Sequence, residues 1–426
     1  MTARRVFVTG VGIVSPLGVS ADEHFRRLLL GESAVTRSAA LEYRNFPSRL
    51  EARIGGFDRR RLLTDRMLRK VLSDAAAYPV AAAGQAIHDT GLADRPEVWE
   101  DCGLYVGSIA VEANPEVFIP AFKESLDERG EFDMSRFATR GMKLLDPLFL
   151  VKALPNAGLC GISIQYQVLG PNLNVTNGAV SGGQAIAAAT AAIRRAETDL
   201  ALAGGYDSLL RMDTIVEQTI EGRLSTRLGE PEHACRPFDQ ERDGYALGEG
   251  AAFVVLEAEA HARARESRVY GEVFSTAQTT DASHVAQPDL TGPAALVQAA
   301  RVALQRAGCT PADLGVIFGD GLATLVDDRR EAAALKSLVG DAPIPFTAAT
   351  GALGFSGAAS GAFSFVSATM ALHREVVPPL INCHRPDPEC LVHRVDAPHE
   401  RRYARALVWS SERGIKNIAF VVGLPR

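Results

Sequence analysis

The stretch Asn174-Val175-Thr176-Asn177-Gly178-Ala179-Val180-Ser181-Gly182-Gly183-Gln184-Ala185-Ile186 decides how the rest of the chain is read. A β-branched pair leads in, small residues make a tight bend, and an alanine-rich helix leads out. This is the build of a turn that holds a reactive side chain at its bend. The residue standing there is Ala179, a methyl group.

Outward from that turn, strand-like runs alternate with helix-like ones, the pattern of a layered α/β fold. Residues 5–14, 102–108, 171–177 and 199–208 read as strands. Residues 21–31 read as a capped helix ending at Gly31, and 181–198 as a helix of small residues suited to close packing on a sheet. The run 250–266 closes a first half. The second half repeats the logic, with a strand at 271–280, an amphipathic helix at 293–308 and a strand at 314–321. The segment 344–372 then runs strand, small-residue turn, helix, the same shape as 171–198. An internal duplication into halves 1–255 and 256–426 is expected, with the two turns meeting at a pseudo-twofold axis.

Bulk properties fit this reading. At 426 residues the chain is long enough for a large core, and 47% apolar, 23% charged residues with 38 Gly match a soluble α/β protein. A net charge of −6 without a long basic run argues against nucleic acid or an anionic membrane as partner. No apolar run reaches the roughly 18 residues of a membrane helix, and the start, 1–18, reads as a strand rather than a signal peptide. The scattered cysteines (102, 160, 235, 309, 383, 390) suit reduced thiols, so a cytoplasmic location is expected. Cys383, His384, Cys390 and His393 fit no zinc spacing, with Pro386 and Pro388 between them, and no metal is expected there.

Several blocks resemble one family. Residues 8–18 (VTGVGIVSPLG) look like its opening strand and Pro155-Asn156 like its PN turn. Arg236-Pro237-Phe238-Asp239, Arg242-Asp243-Gly244-Tyr245 and Gly248-Glu249-Gly250 resemble its RPFD…RDGF…GEGA block. Asp281-Ala282-Ser283-His284 with Pro288, and Val377-Pro378-Pro379-Leu380-Ile381-Asn382, match two later motifs. The chain thus resembles the β-ketoacyl synthase branch of the thiolase-fold family over nearly its whole length. The resemblance implies a thiolase-like α/β fold of two duplicated halves in α-β-α-β-α layers. It also implies a reaction: a cysteine thiolate at a helix N-terminus accepts an acyl group from a carrier protein, and two imidazoles stabilise developing oxyanions.

At the positions that carry this chemistry the sequence departs. Aligning Gly182-Gly183-Gln184-Ala185-Ile186 with the family's GAHAI puts Ala179 in the place of the cysteine. Asp320, in Gly319-Asp320-Gly321-Leu322-Ala323-Thr324, replaces the histidine of AHGTxT, while Asp328 and Glu331 match the acidic pair that follows. In Thr350-Gly351-Ala352-Leu353-Gly354-Phe355 the family's lysine becomes Thr350 and its second histidine Phe355, an apolar plug. The late NSFGFGGTN loop, which gates the acyl pocket, reads 409–417 here, with Ser411 and Arg413 in place of its phenylalanines. His284 falls outside the catalytic set, and Cys160 reads as a buried free thiol.

Removing the nucleophile alone costs on the order of a million-fold where such sites have been dissected; here the whole set is missing. The resemblance then implies a silent ketosynthase-like subunit, the chain length factor of a type II polyketide synthase. Such a subunit pairs with a cysteine-bearing ketosynthase and shapes its acyl tunnel, in aromatic polyketide or aryl polyene systems. Acyl carrier protein is the second expected partner. No cofactor is expected beyond the carrier's phosphopantetheine as a transient ligand. Residues 118–156 are the candidate dimer-interface helix that gauges chain length, with Phe149 as its probe. Two alternatives stand beside this. One is an enzyme of another kind, in which Asp320, Ser181 or Thr350 performs acyl transfer or hydrolysis in the old pocket. The other is a homodimeric scaffold for acyl groups or carrier protein. Arg413 has a plain reading as well, as an ion-pair partner rather than a gate.

Overall fold

The computed structural model describes residues 4–42, 45–109, 115–282 and 292–426; Ser283, His284 and Pro288 lie outside the described residues. Ten strands carry the architecture: β1 (Val6–Val14), β2 (Gly103–Ser108), β3 (Asn172–Val175), β4 (Leu200–Ser208), β5 (Leu247–Ala258), β6 (Gly271–Thr280), β7 (Val316–Gly319), β8 (Phe346–Ala348), β9 (Arg405–Glu412) and β10 (Lys416–Gly423). They hydrogen-bond in the order β8-β7-β9-β10-β6-β1-β5-β4-β2-β3. Two short strands, Thr36–Arg37 and Leu50–Ala52, extend the sheet beside β5.

The duplication is visible in this order. Outward from the centre, one half runs β1-β5-β4-β2-β3 and the other β6-β10-β9-β7-β8, each strand matched by the one five places later. Pairing directions match too. β1/β5 and β5/β4 are antiparallel, as are β6/β10 and β10/β9. β4/β2 and β2/β3 are parallel, as are β9/β7 and β7/β8. The halves join by a short antiparallel contact, Phe7 opposite Glu272 and Val8 opposite Gly271. The first half's last strand runs on to Ala258, past the boundary at 255/256, and the change of half falls between it and Gly271.

Six helices complete the layers: α1 (Asp74–Asp89), α2 (Ala157–Tyr166), α3 (Ser181–Arg194), α4 (Ala294–Ala307), α5 (Leu325–Val339) and α6 (Ser360–Arg374). Alternation along the strands sorts them. On β10, Ile418, Phe420 and Val422 face a core shared with α3 and α6, whereas Ala419 and Val421 face another core with α4 and α5. On the first half's outer face, α1 and α2 pack over Val106, Leu202 and Val255. The result is five layers, α1/α2, sheet, α3/α6, sheet, α4/α5, as the α-β-α-β-α expectation requires. Small residues let α3 sit at the centre: a Cβ on Gly107 would lie 2.2 Å from the Ser181 carbonyl carbon, and one on Gly205 2.6 Å from Gly182 Cα. The first helix, Ala21–Leu29, is shorter than its sequence span; Ser20 caps it by accepting the Glu23 N–H.

Candidate functional site

The turn between β3 and α3 keeps its shape through backbone and hydroxyl bonds. Gly178 adopts φ +74°, the left-handed region that favours glycine. Ser181 Oγ accepts the Asn177 N–H at 2.8 Å and donates to the Gly178 carbonyl at 2.7 Å, so this buried hydroxyl staples the bend. Ala179 is 2% exposed at the head of α3. Its N–H donates to Glu412 Oε2 at 2.5 Å, a contact spanning from the end of β9.

A cavity of about 150 Å³ gathers Ala179, Phe355, Ser411, Glu412 and Arg413 with Tyr245 and Leu209. The structure thus brings four of the residues singled out in the sequence around one small space. Phe355 packs its ring against Tyr245 at 4.9 Å between centroids, which puts apolar bulk in the same cavity as Ala179. Asp320 and Thr350 stand just behind. Asp320 Oδ2 accepts the Ser411 N–H at 2.7 Å, and Thr350 Oγ1 donates to the Asp320 carbonyl at 2.5 Å. Burial, reinforced by the neighbouring Glu331 carboxylate, pushes the Asp320 carboxyl well above its ordinary range. Among the described residues the Ser181 and Thr350 hydroxyls donate to backbone carbonyls rather than to a side-chain base.

The segment 409–417 is not a loop. Residues 409–412 finish β9, and β10 begins at Lys416 opposite Glu412. The turn between them uses left-handed Arg413 (φ +53°) and Gly414 (φ +73°). The hairpin pairing of two strands overrides the loop reading, because its alternating apolar residues belong to two cores. Arg413 makes a two-pronged ion pair with Glu221, at 2.8 and 2.7 Å, with Glu412 more distant at 3.5 Å.

Around this centre the motif residues form a buried support. Arg242 Nη1 donates to Asp387 Oδ2 at 2.8 Å and its Nε lies 3.4 Å from Asp328 Oδ2, with both Arg242 and Asp328 side chains fully buried. Asp328 accepts the N–H groups of Phe238 (2.7 Å) and Ala323 (3.0 Å). Glu331 accepts those of Asp320 and Gly321, both at 2.8 Å, and Trp409 Nε1 at 2.7 Å. The RPFD and RDG blocks and the acidic pair therefore fix the strand end at 319–324.

Phe149 stands apart from the cavity. It opens the short helix Phe149–Ala153 and meets Phe118 edge-on at 5.4 Å. The span 118–156 is not one helix but a string of short ones, Pro115–Glu124, Met134–Thr139 and Phe149–Ala153, with a 3-10 turn at Gly141–Leu144. Cys160 is exposed on α2, not buried, because that helix turns one side outward. Among the described residues no group of three or more His, Cys, Asp or Glu could hold a metal, and Cys390 Sγ instead accepts from Arg242 Nη2. No helix of the described residues is long and apolar enough to cross a membrane.

Two features escaped the sequence reading. Glu412 is one, although a charged residue at a glycine of NSFGFGG was a usable signal. The other is a cavity of about 410 Å³ floored by Tyr78, Tyr206 and Glu249 beside Lys152 and Leu154. There Glu249 accepts from the Ile54 N–H, the Tyr78 hydroxyl and the Ser208 hydroxyl, at 3.0, 3.2 and 2.8 Å, and burial raises its carboxyl above the ordinary value.

Known proteins share this build. The 3-oxoacyl-[acyl-carrier-protein] synthase 2 of Rhizobium meliloti (strain 1021) is 32% identical over 412 residues, covering 94% of this chain and 93% of the relative. A putative polyketide beta-ketoacyl synthase 1 of Streptomyces cyaneus is 31% identical over 394 residues, covering 91% and 90%. Among solved structures, the ishigamide ketosynthase/chain length factor superposes with a TM-score of 0.88 at 24% identity, covering both chains in full. The family model for the β-ketoacyl synthase N-terminal domain matches residues 3–262 and that for the C-terminal domain residues 270–384. With thiolase-like halves, the motif scaffold and family models that match most of residues 3–384 in agreement, the chain belongs to the β-ketoacyl synthase family.

Proposed function

We propose that this chain is a catalytically silent ketosynthase partner of the chain length factor type. In this reading it pairs with a cysteine-bearing ketosynthase, walls its acyl tunnel and sets product length in a type II polyketide synthase. The observation that carries the reading is a contrast within one molecule. The reaction centre carries no thiol or imidazole, being lined by Ala179, Phe355 and the Glu412 carboxylate, while an extensive apolar face is left open.

That face is concentrated. Fourteen of the twenty exposed large hydrophobic side chains among the described residues fall between 117 and 173, including Phe122, Phe132, Met134, Val151, Leu154 and Leu173. Patches of this kind mark protein interfaces rather than free surface. Among the described residues β3 is the last strand of the sheet, and its residues 172 and 173 are exposed, an edge on which another chain can pair. Phe118 and Phe149 stand within this face, which makes Phe149 a wall residue of a shared tunnel in this reading. The relatives named above act on acyl carrier protein or polyketides by their names, which favours that partner class. Arg60, Arg61, Arg66 and Lys70 are exposed and close in sequence on a chain of net charge −6, and basic side chains of this kind suit docking of an acidic carrier protein.

The test is co-expression with a ketosynthase encoded beside it, tagging this chain alone, followed by native mass spectrometry and product analysis. A stable 1:1 complex that makes product only when both chains are present supports the proposal. A homodimer that neither binds the ketosynthase nor changes its products overturns it.

A further inference from the structure

Acyl transfer at residue 179 needs more than a sulfur. The thioester carbonyl oxygen gains charge as it is attacked, and backbone N–H groups at the turn must be free to receive it. In this chain the Ala179 N–H is already engaged, by Glu412 Oε2 at 2.5 Å. The carboxylate is seated closely: a Cβ on Gly178 would lie 2.4 Å from that same oxygen. Gly178 therefore leaves the slot into which Glu412 fits, as well as supplying the positive φ.

The end of β9 is held in place by three consecutive residues reaching three different elements. Ser411 N–H donates to Asp320 Oδ2 at 2.7 Å, Glu412 accepts from Ala179, and Arg413 pairs with Glu221 at 2.8 and 2.7 Å. A carboxylate fixed on this N–H opposes acyl transfer twice. It fills the position of the developing oxyanion with a group of the same charge, and it sits beside any thiolate placed at 179, disfavouring that anion.

We propose that Glu412 is a second and independent lock on this site, closing it to acyl thioesters whatever residue stands at 179. The inference rests on the reading of the site as silent, but not on the identity of any partner.

The full-length chain is compared as Ala179→Cys, Ala179→Cys/Glu412→Gln and Ala179→Cys/Glu412→Gly. The probe is the hexanoyl thioester of N-acetylcysteamine, and acylation is mapped to individual thiols by peptide mass. In the reaction read, the sulfur introduced at position 179 bonds to the carbonyl carbon and the bond to the N-acetylcysteamine sulfur breaks. The proton of the introduced thiol ends on the released N-acetylcysteamine. Exposed Cys160 gives the background rate in the same sample. Iodoacetamide, which displaces iodide and needs no oxyanion donor, reports whether the introduced thiol is reachable and the turn folded.

The expected result is that the thiol at position 179 is alkylated in all three variants but acylated no faster than Cys160 in the first. Glu412→Gln changes this less than tenfold, since its amide oxygen still accepts the N–H. Glu412→Gly raises it by about 100-fold, the scale of one oxyanion donor. The proposal is overturned if Ala179→Cys alone acylates as fast as the glycine double variant. It is equally overturned if neither exceeds Cys160 while both are alkylated. Should the glycine variant fail to fold, Glu412→Ala takes its place with the same two readings. Fast acylation of the single variant would leave the heterodimer proposal standing, and loss of the heterodimer would leave this one standing.

Discussion

Two neighbouring regions of this molecule carry charge in opposite ways. In the support around 319–331, Asp328 and Glu331 have dedicated donors: Asp328 has two N–H groups and Arg242, and Glu331 has two N–H groups and Trp409. At the reaction centre no thiol or imidazole stands at the motif positions, and the small cavity is lined by Ala179, Phe355 and a carboxylate from a neighbouring strand. The support shapes a strand end and joins distant blocks, so its loss would unmake the fold. The centre has fewer such ties, so its side chains can change at smaller cost to the fold. The difference separates groups in this chain that hold architecture from groups placed where the family motifs carry the reaction.

The comparison breaks most sharply at Arg242. Arg242→Ala leaves Asp328 and Asp387 buried without their cation, an error that costs about 3–5 kcal/mol. Denaturant unfolding is expected to show that loss or a chain that no longer folds. A variant within about 1 kcal/mol of the parent would show the support to be dispensable. Ala179→Ser, by contrast, is expected to be nearly silent in the same assay.

Asp207 tests the opposite side. It is fully buried at the end of β4, with the Ala358 and Ser208 N–H groups as donors, at 3.1 and 2.9 Å. Burial raises its carboxyl from 3.8 to about 6. A folded-state value above the unfolded one means that folding takes up a proton. Stability from this group is thus present at low pH and lost as pH rises from 3.8 to about 6, a loss of about 3 kcal/mol at most. Asp207→Asn is expected to flatten that slope, although its amide NH2 must replace one of the two oxygens that accept N–H groups. Unchanged pH dependence would remove Asp207 from the account.

Gly178 sharpens the comparison further. Gly178→Ala combines a left-handed backbone with a clash against Glu412, and is expected to cost about 1–2 kcal/mol. In a Glu412→Gly background the clash term disappears and part of that cost returns. Strict additivity in this double-mutant cycle would show that the two residues do not meet. A small effect on stability is also expected for Phe149→Ala, about 1 kcal/mol or less at a half-exposed site. Its readout is the product of the assembled complex, where a shift in chain length is expected, and an unchanged product across several variants of 118–156 would dismiss this wall.

Much of this was legible in the residues. Strand-like and helix-like runs marked several of the strands and helices of both halves, and the repeated strand–turn–helix shape at 171–198 and 344–372 announced the duplication. The replaced positions Ala179, Asp320, Thr350 and Phe355 were found because motifs flank them. The rest depended on contacts across large sequence distances. Residue 412 meets residue 179 only because β9 and the β3–α3 turn end at the same place in the layers. The hairpin at 405–423 was missed because the motif was read as a loop, although its apolar residues alternate. Cys160 was misplaced because α2 is apolar all round, so its sequence does not mark the side that faces outward.

The open edge at β3 has a consequence for how this chain is made. An edge strand among the described residues, with exposed Leu173 on it and exposed Leu169 just before it, is a template on which further copies can add, and aggregation begins at such edges. Under the proposed pairing, copies made in excess of the covering chain are expected to be lost to precipitation or proteolysis. The soluble amount in a cell would then follow the supply of that chain, and balanced translation of the two would matter more than the strength of either promoter.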